Sequence, residues 1–537
     1  MTKKNYLLKL QVFLSGAVVM ILEIVGSRFL APIFGNTIYV WGSLIGVVLS
    51  ALALGYFYGG KVADLKPNKR LFSTIIFTAG LLILTIPYFS PNILEFVLLF
   101  EFDYRLGPLI STIILLFPST FLLGMVSPFA VKLLTLELEN LGKVAGNLYS
   151  LSTVGSIVGT FLTVFILIPS FDIRSIILGS GLTLMFISVF NLSKQSKIIF
   201  FIILIFLITP LTQFVVGLYA NIGEILYQKD TFYNSLAVVQ NGDLRILYLN
   251  GLPHSAMDIR EPFKLVFKYT RFFELGLLLN EEAKRVLFIG GGGFSGPKYF
   301  LKNYQDLLID VVEIDREVIS VAKRFFYLDE NPRLKIFEDD GRRYLQKNNE
   351  DKYDVIILDA YSKTYIPFHL MTLEFFQLIY DRLNNNGVVV SNIIASFVGD
   401  SSEMLWAQYK TISTIFPKIY LFRASENEGL AVQNIILVAC KSECSFDDYN
   451  ETVIFALQNL WTNIPYLEEF PIIKDNYAPV ERLISPITGK PYSIELEGYN
   501  YSFPSLLYSG SNLLTLSILL ILLIIWFLTL PNSIKSI

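Results

Sequence analysis

Long apolar runs dominate the first two-fifths of the chain, and short ones alternate with charge in the rest. Residues 38–60, 71–89, 106–131, 144–171, 175–193 and 198–222 contain no Asp, Glu, Lys or Arg. At 1.5 Å per residue in a helix, each of these runs is long enough to cross a hydrocarbon core of ~30 Å. Residues 509–531, near the end of the sequence, form another such run. Residues 6–30 are a further candidate, but they carry Lys9, Glu23 and Arg28. They also lack a small-residue cleavage site, which argues against a removable signal peptide. The pattern predicts about seven hydrophobic segments over residues 1–222 and one closing helix over 504–537.

From 223 to 503 charges fall every few residues and the apolar runs shorten, as in a soluble α/β domain. RVLFIG at 285–290 reads as a buried strand, the glycines at 290–293 as a tight turn, 297–304 as a helix opened by Pro297, and 308–313 as the next strand. Further strands are predicted at 334–337, 353–359 and 387–394, with helices at 318–326 and 372–383 between them. This alternation implies a parallel sheet covered by helices on both faces. A small β-rich subdomain at 223–280 precedes the nucleotide-type domain at 281–503. The fold class expected is therefore a multi-pass α-helical membrane domain joined to a Rossmann-like α/β domain of the class I methyltransferase type.

In such sheets ligands bind beyond the carboxyl ends of the strands. Those ends here carry Gly290, Gly291, Gly292 and Gly293, then Glu313, then Asp339, Asp340 and Gly341, then Asp359. Glycines let the backbone approach a ligand, and an acid ending the second strand can accept both hydroxyls of a ribose. A glycine turn alone also serves as a plain strand-to-helix connection; the ordered series of turn and acids is what points to a nucleoside. NAD is a competing ligand, but GGGGFSG lacks the spacing that cradles a pyrophosphate.

Composition agrees with this division. Of 537 residues 53% are hydrophobic and 17% charged, with 44 Phe. The net charge of -3 and the absence of a basic stripe exclude a nucleic-acid footprint. Cys440 and Cys444 have neither CxxC spacing nor neighbouring histidines, so they predict no metal site and read as structurally incidental. The lysines and arginines at 3–4, 61–70, 132–143 and 194–197 fall on one side if every segment spans, which puts the N-terminus in the cytoplasm. Seven crossings then place the large domain outside, whereas a supply of adenosyl donor places it in the cytoplasm. The two expectations conflict unless one segment is re-entrant. Glu23 and Arg28 suggest a buried pair or a snorkelling end, and Gly55 with Gly59, and Gly155 with Gly159, suggest close helix packing.

The motifs VLFIGGGG, VVEID (311–315), EDDGRRYL (338–345), YDVIILDAYS (353–362) and IPFHLMTLEFF (366–376) resemble the spermidine synthase, or polyamine aminopropyltransferase, family. EIVGSRFLAPIFG near the start resembles the membrane half of its fused branch. The resemblance implies a transferase that uses decarboxylated S-adenosylmethionine, without a metal, and an amine acceptor. It assigns the ribose hydroxyls to Glu313, the adenine amine to Asp340, and activation of the attacking amine to Asp359. Asn234 takes the place of a family Gln after Tyr233, and His254 falls where another Gln approaches the nucleoside. His369, ten residues after Asp359, is a second candidate for proton transfer.

The departures redirect the chemistry. The family follows its glycines with an Asp that binds the donor's amine; here Gly293 and Phe294 stand there. A second acid beyond the catalytic one is replaced by Ser362, and no family Tyr-His pair is evident at 263–270. Two ammonium groups are costly to desolvate without partner carboxylates. Intact S-adenosylmethionine therefore enters as an alternative donor, for methyl or aminocarboxypropyl transfer, and a lipid enters as an alternative acceptor. A homodimer is a further expectation. Two other classes stay open, a transporter with a regulatory nucleotide-binding domain and a non-catalytic binding module. The first calls for charges deep in several helices, whereas the segments beyond 6–30 have none.

Overall fold

The computed structural model describes residues 3–34, 37–99, 105–135, 141–192, 223–231, 233–348, 350–361, 366–425, 429–446, 450–488, 490, 492 and 494–499. The chain divides into two compact units, one within residues 1–220 and one within 221–506.

Among the described residues of the first unit, five helices are long and apolar enough to cross a membrane: Tyr6–Ala31, Ile38–Leu65, Lys69–Ser90, Phe117–Leu134 and Leu141–Leu167. The run at 106–131 is not one straight span. It forms helices Leu106–Leu115, Phe117–Gly124 and Val126–Leu134, with joints at Leu116 and Met125. Pro118 and Pro128 each remove one backbone donor near these joints, and the i to i-4 ladder carries on around them, with the Thr120 N–H on the Leu116 carbonyl at 3.0 Å and the Phe129 N–H on the Met125 carbonyl at 3.3 Å. The run at 175–193 yields the 17-residue helix Ile173–Val189, shorter than the other five. The segments at 198–222 and 509–531 lie outside the described residues. Glycines set the closest helix contacts: a Cβ at Gly155 would lie 2.1 Å from the Phe13 carbonyl oxygen, and one at Gly55 2.3 Å from that of Phe121. These are the two small-residue faces marked in the sequence.

The second unit begins with an antiparallel meander of β1 (Glu224–Asp230), β2 (Ser235–Asn241), β3 (Leu244–Leu249) and β4 (Leu252–Asp258). Eight further strands form one sheet: β5 (Arg285–Ile289), β6 (Leu308–Glu313), β7 (Leu334–Glu338), β8 (Tyr353–Leu358), β9 (Leu383–Ala395), β10 (Lys418–Arg423), β11 (Gln433–Cys440) and β12 (Leu460–Trp461). Their order is β12-β10-β11-β9-β8-β5-β6-β7. The ladders from β9 to β7 are parallel, as the alternation predicts, but β9–β11, β11–β10 and β10–β12 are antiparallel. The sheet is thus of Rossmann-like order, parallel over the five strands read from the sequence, and β10, β11 and β12, which were not among those strands, add an antiparallel edge. β8, β5 and β6 are central, and their Val and Ile side chains are buried. Such doubly covered strands read as continuous apolar runs.

Cys440 and Cys444 are also corrected: they are joined in a disulfide with Cα atoms 6.3 Å apart. The turn after β11 folds the chain back and brings the two within bonding reach; spacing alone gives no such signal.

Candidate active site

The site is built at the carboxyl ends of β5, β6, β7 and β8. After β5 the chain turns sharply at Gly290, whose φ is +98°. A Cβ there would lie 2.3 Å from the Asp359 carbonyl oxygen, so only glycine lets this turn approach the end of β8. The Asp359 N–H donates to the Ile289 carbonyl at 2.9 Å and continues the pairing one residue past the strands. Phe294 adopts a left-handed conformation and opens the helix Ser295–Asn303. Its ring is fully buried against Gly291, so no acid projects from this part of the turn.

Glu313 ends β6 and closes on the glycine turn. Its Oε2 accepts from the Gly291 N–H at 2.9 Å and its Oε1 from the Asp315 N–H at 2.9 Å. Burial pushes this carboxyl up from its ordinary value, and the backbone donors oppose the rise. Asp315 caps the helix Arg316–Phe325 and also receives Thr231 Oγ1 and, at 3.4 Å, Asn234 Nδ2. The structure thus places Asn234 on Asp315, two residues past Glu313, with its own oxygen accepting from Asn250 at 2.9 Å. His254 in β4 lies 3.0 Å from the Leu252 carbonyl through Nδ1. A carbonyl only accepts, so Nδ1 carries the proton and Nε2 is left as an acceptor. Burial lowers the pKa of this ring and keeps it neutral.

Asp340 caps the helix Gly341–Lys347 by accepting from the Arg343 N–H at 2.9 Å. Its second oxygen meets His369 Nε2 at 2.8 Å. Partial burial alone would raise the Asp340 carboxyl; His369 and the backbone donors outweigh it and hold it below the ordinary range. The His369 carbonyl accepts from Arg342 at 3.1 Å, and Arg342 forms a two-pronged ion pair with Asp475 at 2.7 and 2.6 Å. His369 is therefore joined to Asp340, at the end of the site assigned to the base, and its ring is partnered there instead of on Asp359.

Asp359 has a different environment. Tyr269 donates to its Oδ2 at 3.1 Å and Asn392, on β9, donates to its Oδ1 at 2.9 Å. Burial raises this carboxyl above its ordinary value, and the two neutral donors only moderate the rise. Its partners among the described residues are side chains from distant segments, not the backbone of its own turn. Tyr269 and Asn392 were missed in the sequence. Tyr269 lies in the stretch where no family pair was evident, and Asn392 lies within a predicted strand as an amide among Val and Ile. That polar residue near the carboxyl end of a buried run was the available signal.

A mixed sheet of this order, with a glycine turn and acids at successive strand ends, defines a Rossmann-like domain of the methyltransferase type, a fold in which ligands bind beyond the carboxyl ends of the strands. The description "Spermine/spermidine synthase domain" matches residues 267–423. The C-terminal part of the chain carries a spermine/spermidine synthase domain. The "Polyamine aminopropyltransferase" of Vibrio vulnificus is 29% identical over 293 residues, 53% of this chain and 95% of that protein. That of Chromobacterium violaceum is 33% identical over 157 residues, 29% of this chain and 60% of that protein. Among solved structures, the spermidine synthase of Thermotoga maritima aligns at 22% identity with a TM-score of 0.36, over 44% of this chain and 84% of that one. The relatives bear the name of a transferase, and the domain is of that class.

Proposed function

We propose that this chain is a membrane-embedded transferase that moves an aminopropyl group from decarboxylated S-adenosylmethionine to an amine acceptor, with Asp359 as the base. The observation that carries the reading is the state of Asp359: a desolvated carboxylate beside the glycine turn, held by two neutral donors. Such a group favours a cationic or proton-donating partner, which an ammonium acceptor supplies. Asp359 takes one proton from that ammonium. The freed nitrogen lone pair attacks the propyl carbon next to sulfur, and the C–S electron pair returns to sulfur and cancels its charge. A secondary ammonium and neutral methylthioadenosine result. The reaction needs positioning and one proton acceptor. Glu313 would hold the ribose hydroxyls and Asp340 the adenine amine, with His254 and Asn234 completing the nucleoside end. The five long apolar helices support insertion in a membrane.

One observation favours a second reading. Phe294 and Gly293 leave the turn without the acid that would greet a donor's amine and repel its carboxylate, so intact S-adenosylmethionine meets no charge barrier there. Both readings are tested on the detergent-purified chain by calorimetry with each donor, then nucleoside analysis after incubation with putrescine or extracted lipid. Methylthioadenosine from the decarboxylated donor alone supports aminopropyl transfer. S-adenosylhomocysteine from the intact donor replaces it with methyl transfer, and methylthioadenosine from the intact donor with aminocarboxypropyl transfer. Binding of neither donor removes both.

A further inference from the structure

The donors on Asp359 do not end with Asn392. Asn434, on β11, donates through Nδ2 to Asn392 Oδ1 at 2.9 Å, and Tyr492 donates to Asn434 Oδ1 at 3.0 Å. Both asparagines are buried, at 2% and 5% exposure, so neither amide can exchange this chain for water. We propose that Tyr492 is a positioning residue for Asp359, acting through Asn434 and Asn392. The proposal rests on the reading of Asp359 as the base.

The direction of the chain follows from its ends. An ionised carboxylate only accepts, so Asn392 must turn its NH2 toward Asp359 and its oxygen away. That oxygen needs a donor, which fixes Asn434, and the Asn434 oxygen needs one in turn, which the phenol supplies. Burial raises the Tyr492 phenol above its ordinary value, so it keeps its proton and remains a donor. Without that hydroxyl the Asn434 oxygen is orphaned, both amides can rotate, and an amide oxygen can then face Asp359. The titratable groups that bear on Asp359 are Tyr269 and Tyr492.

Tyr492 lies well beyond the matched residues 267–423, in a segment strapped onto the chain that carries Tyr269. Tyr492 bridges Val432, and Leu496 bridges Phe267. The Lys268 N–H donates to the Glu495 carbonyl at 3.0 Å and the Glu497 N–H to the Val266 carbonyl at 2.8 Å. Ion pairs Lys268–Glu495 at 3.0 Å and Arg271–Glu497 at 3.1 Å reinforce the strap. One segment therefore anchors both arms that hold Asp359.

The test uses the full-length chain in detergent. Infrared difference spectra follow the titration of the Asp359 carboxyl in the wild type and in Tyr492→Phe, with Asp359→Asn identifying the band, and turnover is measured on the same samples. Tyr492→Phe keeps the ring and should fold. It is expected to move the carboxyl titration upward by about half to one pH unit and to lower kcat about fivefold to tenfold, with donor Kd within about twofold of wild type. An unchanged titration in Tyr492→Phe overturns the proposal, whatever the turnover. A shifted titration in Tyr492→Phe, beside a wild type that yields no nucleoside product, sustains the relay and removes the transferase reading instead.

Discussion

Asp359 and Glu313 are both carboxyls raised by burial, but their partners separate their roles. Glu313 is held by backbone N–H groups that substitution of side chains leaves in place. Asp359 is held by two side chains, so its basicity can be tuned. Asp359→Asn is expected to lower turnover about 10²- to 10⁴-fold, the range of general-base contributions, with donor affinity within a few-fold of wild type by calorimetry. The pH dependence follows from the direction of the shift. Because the folded carboxyl is raised, it stays protonated to higher pH than a free one, and kcat/KM should climb as pH rises through that folded value. Stability runs the other way. The contribution of protonated Asp359 is fully present below the unfolded value and is lost as pH rises through the folded one. A melting profile against pH should show that loss in the wild type and lack it in Asp359→Asn.

At the scale of elements, two connections bring the site together. The first is the turn after β5. Gly290→Ala adds a Cβ 2.3 Å from the Asp359 carbonyl at a φ of +98°, and should cost about 2 kcal/mol or more in chemical denaturation followed by tryptophan fluorescence. The second is the loop before the helix Leu373–Arg382, which Arg342 and Asp475 pin by an ion pair and by the His369 carbonyl. Arg342→Ala should weaken donor binding about threefold to tenfold and leave kcat nearly unchanged, because the His369 that it holds meets Asp340. Equal losses in Kd and kcat would place the loop on the reacting centre. The central strands were legible because doubly covered strands are unbroken apolar runs bounded by Gly and acids. The antiparallel edge was not, since β12 is only two residues long and an antiparallel ladder needs no crossover helix to announce it.

Over the whole molecule, the apolar runs and the charged remainder separate into two compact units. Gly155→Leu puts a side chain where the Phe13 carbonyl leaves 2.1 Å, and is expected to destabilise the helical unit by about 1–3 kcal/mol in a thermal scan in detergent, with donor binding by the other unit retained. Simultaneous loss of both would show that the two units unfold together.

The sequence by itself determined the long apolar segments, the alternating strands and helices, and the series of Gly290 to Gly293, Glu313, Asp340 and Asp359, because each is written in local periodicity or at a strand end. It could not determine what touches those acids. Tyr269, Asn392, Asn434 and Tyr492 lie on four different segments, and their union at Asp359 depends on an antiparallel β9–β11 register and on a strap almost at the end of the described chain. Only the tertiary structure decides such contacts, since a hydrogen bond between residues 33 or 90 positions apart leaves no periodic trace in either segment. The same holds for His369, whose sequence distance from Asp359 suggested the reacting centre, while packing of its loop gave it to Asp340.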